Sequence, residues 1–155
     1  MIDREKLTNF LLAANQAGYA SGDESKEIKE ADGSKTIVFE SGDWKSHDNF
    51  FGGEPYGGRT VVFYKNQPIW MMVYYGWVTD DIELDLVYTV LRNALKQMPA
   101  NAPFRGPQNY QEDNLVYTNA WSGIIERFSG EEQILSNNTL IYRANYIGGL
   151  INQRT

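Results

Sequence analysis

Residues 59–78, RTVVFYKNQPIWMMVYYGWV, form the stretch of sequence that decides the fold. Two runs of β-branched and aromatic residues, Arg59–Tyr64 and Ile69–Val78, flank the polar Lys65-Asn66-Gln67, and this pattern predicts a β-hairpin. Pro68 falls at the entry to the second strand, where a missing N–H group is tolerated. The run IWMMVYYGWV is apolar on both faces, so we expect it to be the central strand of a sheet, covered on each side.

Two amphipathic helices are predicted, one in each half of the chain. The first has apolar residues at helical spacing from Leu7 to Ala17, with Asp3 as its N-cap and Gly18 at its end. The second is predicted over Asp80–Met98, because Asp80 and Glu83 form a capping-box pattern and Pro99 stops the helix.

Short β-branched and aromatic runs predict further strands at Thr36–Glu40, Leu115–Trp121, Glu131–Leu135 and Leu140–Ile147. The polar residues 19–35, dotted with Gly and Ser, are predicted to form a mobile loop. Residues 99–108, PANAPFRGPQ, hold three of the five prolines and predict an irregular loop. Together these elements predict an α+β fold in a single domain, residues 1–155, with an antiparallel sheet and the two helices packed on it.

The second half of the chain echoes the first when the sequence is displaced by 72 residues. Five of the 21 positions from 58 to 78 are then identical, where about one or two would be expected from ordinary residue usage. Upstream the match continues one residue out of step. This pattern predicts an internal pseudo-two-fold repeat with halves 1–78 and 79–155, the alternative being two ordinary hairpins of similar composition. The identical pairs are Gly58/Gly130, Asn66/Asn138, Ile69/Ile141, Tyr74/Tyr146 and Gly76/Gly148.

Composition excludes several classes of function. The chain has no cysteine, which excludes disulfides, thiolate metal sites and a Cys nucleophile, and its single histidine is His47. The formal net charge is −6, shared equally between the halves, and no Lys/Arg cluster reaches the density needed to neutralise phosphates. We therefore expect no direct binding to nucleic acid and no membrane association. The N-terminus has no apolar signal region, and with no cysteine the expected location is cytoplasmic.

Catalytic and metal-binding patterns are weak. His47 and Asp48 are adjacent, so on a strand their side chains point to opposite faces. They could belong to a general-base or hydrogen-bonding site, or to a solvated loop. No spacing of His and carboxylates organises a metal site, no G-x-S-x-G motif marks a serine nucleophile, and no P-loop follows the glycine pairs. We expect no cofactor and no metal.

The aromatic residues indicate a ligand pocket. The chain has 4 Trp, 10 Tyr and 7 Phe, and buried tyrosine hydroxyls need partners that a strand interior lacks, so some rings are expected to border a concave surface. Arg105 and Arg143 could supply a guanidinium for a carboxylate or phosphate. An aromatic core with ordinary surface arginines is the alternative. The candidate ligand-binding residues are Trp44, Asp48, Glu54, Tyr74, Tyr75, Arg105 and Arg143.

Three strings carry a family resemblance: HDNFFGGEPYGGRTVVFYKNQPIWMMVYYG, the later APFRGP, and RFSGEEQI followed by LIYRANYIGGLI. They resemble an uncharacterised bacterial domain family whose members occur alone or behind an Xre-type helix-turn-helix segment. The resemblance runs from Phe10 to Ile151 and implies a regulatory sensing module. This sequence has no helix-turn-helix pattern of its own, so a DNA role does not follow from the resemblance.

These observations favour a non-enzymatic module that binds or senses a small molecule in an aromatic-lined cleft between the halves. One alternative is a carboxylate-dependent hydrolase or isomerase that draws on Asp43, Asp48, Glu54 or Glu126. The other is an interaction module that forms a homodimer or docks a regulator protein through exposed aromatic residues.

Overall fold

A computed structural model describes residues 1–79 and 83–154 of the protein. Two helices lie within these residues, α1 at Arg4–Ala17 and α2 at Leu84–Leu95. Two single 3₁₀ turns, Tyr19–Ser21 and Glu24–Lys26, follow α1. The strands are β1 Ile28–Lys29, β2 Lys35–Ser41, β3 Trp44–Gly52, β4 Tyr56–Tyr64, β5 Gln67–Val78, β6 Asn109–Glu112, β7 Leu115–Ile124, β8 Arg127–Ser136 and β9 Thr139–Leu150.

All the strands described belong to one antiparallel sheet, in the order β1-β2-β3-β4-β5-β9-β8-β7-β6. Each half of the chain is a meander of successive hairpins, and the two meanders meet where β5 pairs with β9. The predicted α+β class, the antiparallel sheet and the hairpin across Lys65-Asn66-Gln67 are confirmed. The central position of β5 is confirmed too, since it is the fifth strand of the nine in that order.

Strand pairing in the first half recurs at a constant offset in the second. In the β4–β5 hairpin Val62 pairs with Trp70, and in the β8–β9 hairpin Ile134 pairs with Tyr142, each 72 residues later. Both hairpins shift register immediately after this pair. At the junction of the meanders Tyr74 pairs with Tyr146, again 72 residues apart.

The hairpin turns keep the offset of 72 residues, and strands β3 and β7 outside these hairpins have an offset of 71. Asn66 and Asn138 both adopt positive φ, at 64° and 63°. Asp48 pairs with Ile37 across β2–β3, and Asn119 is 71 residues further along on β7. The offset thus changes by one residue upstream of the β4–β5 hairpin, in the region where the sequence match was also one residue out of step.

The helices and the 99–108 loop cover one face of the sheet. Leu7, Phe10 and Leu11 of α1 are buried on it, and so are Val87 and Leu91 of α2. Val73 and Tyr75 on the opposite face of β5 are 45% and 53% exposed. The expectation that β5 is covered on each side was therefore wrong, because within residues 1–79 and 83–154 no helix packs on its second face.

Several predicted boundaries also need correction. Helix α2 ends at Leu95 rather than Met98, because the amide groups of Gln97 and Met98 bond to carbonyls three residues back and form a turn. Glu83 is the N-cap without a side-chain hydrogen bond, and Asp80, the predicted cap, lies outside the described residues. Asp3 caps α1 as predicted, accepting hydrogen bonds from the amides of residues 5 and 6.

Segments that lacked a clear strand pattern are more ordered than expected. Residues 19–35 contain the two 3₁₀ turns and strand β1, and Ser34 is buried. His47 and Asp48 lie on β3, a nine-residue strand that the glycine-rich sequence concealed, and not in a solvated loop. The four strands predicted from short apolar runs are present as β2, β7, β8 and β9. Each is longer than predicted at one end or both.

A substitution at Gly130 tests the packing at the centre of the sheet. A Cβ at this position would overlap the buried Tyr146 ring, so we expect Gly130→Ala to lower the free energy of unfolding by about 1–3 kcal/mol. Gly53→Ala is the matched control, because a Cβ there meets nothing within 4 Å. Denaturant unfolding measures both, and equal stability of the two variants would contradict this packing.

Candidate functional site

A cavity of about 190 Å³ lies on the helix-covered face of the sheet, between residues of the two halves. Asp48 and Tyr74 come from the first half, and Tyr88, Arg92 and Arg105 from the second. A second cavity of about 80 Å³ shares Asp48, Tyr74 and Arg105 with it. The aromatic walls of the larger cavity are Tyr19, Phe50, Tyr56, Tyr74 and Tyr88.

The deepest charge in the site is the guanidinium of Arg105. Its Nε donates to Oε1 of Glu132 at 2.8 Å, and Nη2 lies 2.8 Å from the same oxygen. Because both nitrogens approach one oxygen, Nη2 makes no hydrogen bond of acceptable geometry. Burial, the largest single cause, lowers the pKa of Arg105, but the Glu132 carboxylate together with Tyr56 and Tyr142 outweighs it and holds that pKa well above its ordinary value. Arg105 is therefore a fixed cation with unused donor capacity.

Glu132 is fully buried on β8 and compensated from two directions. Its Oε1 accepts from Arg105, and its Oε2 accepts a short hydrogen bond from the Tyr117 hydroxyl. Burial, and next the Glu132 charge, raise the pKa of Tyr117 well above its ordinary value, so Tyr117 stays a donor. A buried carboxylate is tolerated only with such partners.

The loop that carries Arg105 is tied to the sheet at the next residue. The Gly106 amide donates to the Tyr117 hydroxyl at 3.1 Å, and Asn119 Nδ2 donates to the Gly106 carbonyl at 2.9 Å. One residue earlier, Phe104 stacks on Phe128 with ring centroids 3.8 Å apart. These contacts hold the guanidinium in place without help from a ligand.

Asp48 faces Arg105 across the cavity wall. Its Oδ1 accepts from the Tyr74 hydroxyl at 2.5 Å and from Thr60 Oγ1 at 3.3 Å. Asp48 is half-buried and lines both cavities. Burial raises the pKa of Asp48 above its ordinary value, although the bond from Tyr74 and the charge of Arg105 act in the opposite direction.

Buried tyrosine hydroxyls find their partners inside this network. Tyr56 and Tyr142 share a hydrogen bond of 2.5 Å, and Tyr88 donates a short one to Oε2 of Glu54. Oε1 of Glu54 accepts from the Val78 amide at 2.6 Å. Burial is the main cause that raises the pKa of Tyr56, and also that of Tyr88, above the ordinary value. The cavity therefore presents neutral hydroxyl groups at neutral pH.

The mouth of the cavity is lined by charged side chains of both signs. Lys35 and Glu27 form an ion pair of 2.9 Å, with Glu24 nearby in the lining. The Arg92 guanidinium lies over the Tyr19 ring, 5.6 Å from its centroid. Among the described residues Arg92 takes part in none of the salt bridges, so its charge is available to a ligand.

Three of the predicted site residues, Asp48, Tyr74 and Arg105, meet in one place. Their contacts are direct: Tyr74 donates to Asp48, and the Arg105 guanidinium lies 5.5 Å from the Tyr74 ring centroid. Glu54 lies just behind the wall, where it positions Tyr88.

Trp44, Tyr75 and Arg143 lie away from this cavity. Trp44 packs in the hydrophobic core against Phe10, with ring centroids 5.6 Å apart. Tyr75 is exposed on the uncovered face of the sheet, and there Arg143 Nε lies 3.3 Å from Glu131. Tyr75 and Arg143 are separated from Asp48 because neighbouring positions of a strand point to opposite faces. Trp44 shares the face of Asp48 but lies four residues away along β3.

Sequence reasoning missed Glu132, Tyr117 and Asn119, which build the site from behind. A signal for Glu132 was present. It shares strand parity with the buried Phe128 and Ile134, so a carboxylate was placed on a core-facing position.

The other catalytic and metal-binding candidates from the sequence lie apart from the cavity or from one another. His47 points to the uncovered face against the Phe63 ring, and burial is the main cause that lowers its pKa. Asp43 is exposed in a turn, and Glu126 pairs with Arg4 on the surface. Within residues 1–79 and 83–154 no group of three or more His, Asp or Glu side chains could hold a metal ion. No helix in this described part is long and apolar enough to cross a membrane.

Comparison with protein families matches residues 48–151 to DUF5680, a domain of unknown function. The match covers about two thirds of the chain, so the protein belongs to this family. Asp48, Tyr74 and Arg105 lie within the matched residues. No curated protein and no solved structure matches the chain.

The Arg105–Glu132 pair makes a prediction for stability. Glu132→Gln leaves the buried guanidinium without a counter-charge, so we expect a loss of about 3–5 kcal/mol in the free energy of unfolding. Glu131→Gln is the control, because this neighbour is over a third exposed and its ion pair with Arg143 contributes about 1 kcal/mol or less. Denaturant unfolding of both variants is the measurement, and similar losses would contradict the buried role of Glu132.

The tyrosine hydroxyls make a prediction for alkaline pH. In eight tyrosines the folded-state pKa lies above the ordinary value of 10.0, so the unfolded chain loses these protons first. Their contribution to stability is therefore fully present below about pH 10 and is lost as pH rises further. We expect tyrosinate absorbance to rise together with unfolding, and reversible ionisation of all tyrosines in a folded protein would contradict this.

Proposed function

We propose that this domain is a non-enzymatic module that binds a small organic anion, a carboxylate on a planar apolar body, in the cavity between its halves. The observation that carries the proposal is Arg105, a buried cation fixed by Glu132 and Gly106 before any ligand arrives. A prepositioned guanidinium is the preferred partner of a carboxylate, since its ordering cost is already met.

The cavity walls fit the apolar part of such a ligand. Phe50, Tyr56 and Tyr88 contribute ring faces, while the hydroxyls of the tyrosines are already bonded within the protein. Mostly apolar walls with a few fixed polar groups are typical of small-molecule sites. The volume of about 190 Å³ supports a ligand of roughly one ring in size.

Two arginines supply the positive charge that an anion would meet. The Arg105 charge is paired with Glu132 behind it, and Lys35 with Glu27, while Arg92 adds a further positive charge at the mouth and Glu24 and Asp48 add carboxyl groups to the same lining. Arg92 is placed to attract an anion as it enters, and Arg105 to bind it inside.

The resemblance to domains that occur behind a helix-turn-helix segment supports a sensing role for the bound state. In such a role the ligand would report a metabolite level to a separate partner. The cytoplasm, the location expected from the sequence, suits that role.

One observation favours a second candidate, a carboxylate-dependent hydrolase or isomerase. Asp48 is a half-buried carboxyl group beside Tyr74 and Arg105, and burial raises its pKa, which suits a general acid. Chemical conversion of a bound carboxylate, lost in Asp48→Asn, would establish this candidate, and recovery of unchanged ligand would end it.

We also propose that the two halves arose from one ancestral unit by duplication. The recurring register, the matched bulges after Val62 and Ile134, and the central pairing of Tyr74 with Tyr146 support it. In this view the cavity lies at the seam of the two copies. A crystal structure in which residues 58–78 and 130–150 do not superpose would contradict the proposal.

Binding can be tested with benzoate as the probe and benzamide as its uncharged analogue. We expect benzoate to shift the NMR signals of Arg105 and the surrounding cavity residues, with benzamide binding more weakly. Arg92→Gln should weaken benzoate about fivefold, equivalent to about 1 kcal/mol for a partly exposed charge. Lys65→Gln is the control, because it removes the same charge from an exposed turn.

The result that would overturn the proposal is equally specific. If millimolar benzoate leaves the cavity signals unmoved, or if Arg92→Gln and Lys65→Gln weaken it equally, the cavity is not a site for carboxylates.

A further inference from the structure

Two strand positions at the centre of the sheet make the same hydrogen bond in different settings. Tyr74 and Tyr146 pair across β5 and β9, and each donates its hydroxyl to the Oδ1 atom of a residue on its own half's meander. The acceptor for Tyr74 is Asp48, at 2.5 Å, and the acceptor for Tyr146 is Asn119, at 2.7 Å. The two sites therefore share a frame of tyrosine hydroxyl and Oδ1.

The second polar atom of each acceptor side chain, Nδ2 of Asn119 and Oδ2 of Asp48, has different surroundings. Nδ2 of Asn119 donates to the carbonyl oxygen of Gly106 at 2.9 Å, so on that side the 99–108 loop fills the space. Oδ2 of Asp48 has no hydrogen bond among the described residues, and Asp48 borders the two cavities. The protein thus contains an occupied version of the site, and the occupant is a carbonyl group.

We infer that Asp48 binds the ligand as a carboxylic acid, donating a hydrogen bond from Oδ2 to a ligand oxygen, as Asn119 Nδ2 donates to the Gly106 carbonyl. This inference rests on the proposed function and names the second contact of the same site. A protonated aspartic acid has the same shape as asparagine and a donor at the same atom. The ligand oxygen would then lie between this donor and the Arg105 guanidinium.

The surroundings of Asp48 suit the neutral form. Burial raises its pKa and outweighs the hydrogen bonds from Tyr74 and Thr60 and the Arg105 charge, which lower it. Because Tyr74 and Thr60 both donate to Oδ1, Oδ2 is the atom that would carry the proton. The charged groups facing the same cavity are Arg105 from the loop, Arg92 from α2, Lys35 from β2, and Glu24 and Glu27 from the segment before β1. Tyrosines from the other elements complete the titratable set: Tyr19, Tyr56, Tyr74 and Tyr88.

An incoming carboxylate favours the acid form further. Two anions at one site repel each other, so binding of a carboxylate next to Asp48 is coupled to uptake of a proton. Affinity is then highest below the folded-state pKa of Asp48 and falls as pH rises through it.

The test compares Asp48→Asn and Asp48→Ala with the wild-type protein, again with benzoate as the probe. We expect wild-type affinity to fall with rising pH, approaching about tenfold per pH unit once Asp48 ionises. Asp48→Asn should keep the low-pH affinity and lose the pH dependence, because an amide replaces the acid as donor. Asp48→Ala should bind at least about tenfold more weakly. Asp43→Asn, the same change in an exposed turn, should behave as wild type.

A readout without ligand guards against variants that fold poorly. In the carbon-13 spectrum of protein labelled at aspartate, the Asp48 signal, assigned by its loss in Asp48→Asn, should remain that of an acid after exposed aspartates have ionised. Because every variant is measured with the same probe, the titration of benzoate itself cancels in the comparison.

The outcomes separate this inference from the proposed function. If benzoate binds wild type but Asp48→Asn loses as much affinity as Asp48→Ala, Asp48 acts as an ionised acceptor, and the inference fails while the binding site stands. If the Asp48 carbon-13 signal shows ionisation at the same pH as the exposed aspartates, the inference also fails and the binding site stands. If neither wild type nor Asp48→Asn binds benzoate, both proposals fail.

Discussion

The buried ion pair between Arg105 and Glu132 is the constraint on which the centre of this molecule depends. A carboxylate with no solvent exposure must be paired, and the arginine that pairs it comes from a loop rather than from the sheet. The pair therefore draws the 99–108 loop across the sheet face and fixes it there. Gly106 completes the attachment through Tyr117 and Asn119, so the loop acts as part of the core.

This attachment makes the two sides of the sheet centre different. Strand pairing is alike in the two halves, and Tyr74 and Tyr146 face acceptors at matching positions. On one side the loop backbone occupies the space in front of Asn119, and on the other side the space in front of Asp48 is a cavity. A near-symmetric frame thus carries one closed and one open version of the same arrangement.

Much of the fold could be predicted because it depends on local patterns. The hairpin at 59–78, both helices and the antiparallel sheet follow from side-chain periodicity and turn residues. The β3 strand was concealed because its polar residues lack that periodicity and glycines follow it, and its partner strands stabilise it instead. Arg105 was singled out as a ligand-binding residue, but its partner Glu132 was not, because the two are 27 residues apart in the chain.

The sequence by itself determined the α+β class and the antiparallel pairing, and it supplied a set of candidate residues of which Asp48, Tyr74 and Arg105 come together. Each of these follows from residue type and short-range spacing, which the chain carries before it folds. Only the tertiary structure decided which face each candidate occupies, so that Tyr75 and Arg143 lie opposite the cavity. It also decided that the Gly106 carbonyl occupies the space in front of Asn119 while the space in front of Asp48 is a cavity. Such contacts arise from packing between distant segments.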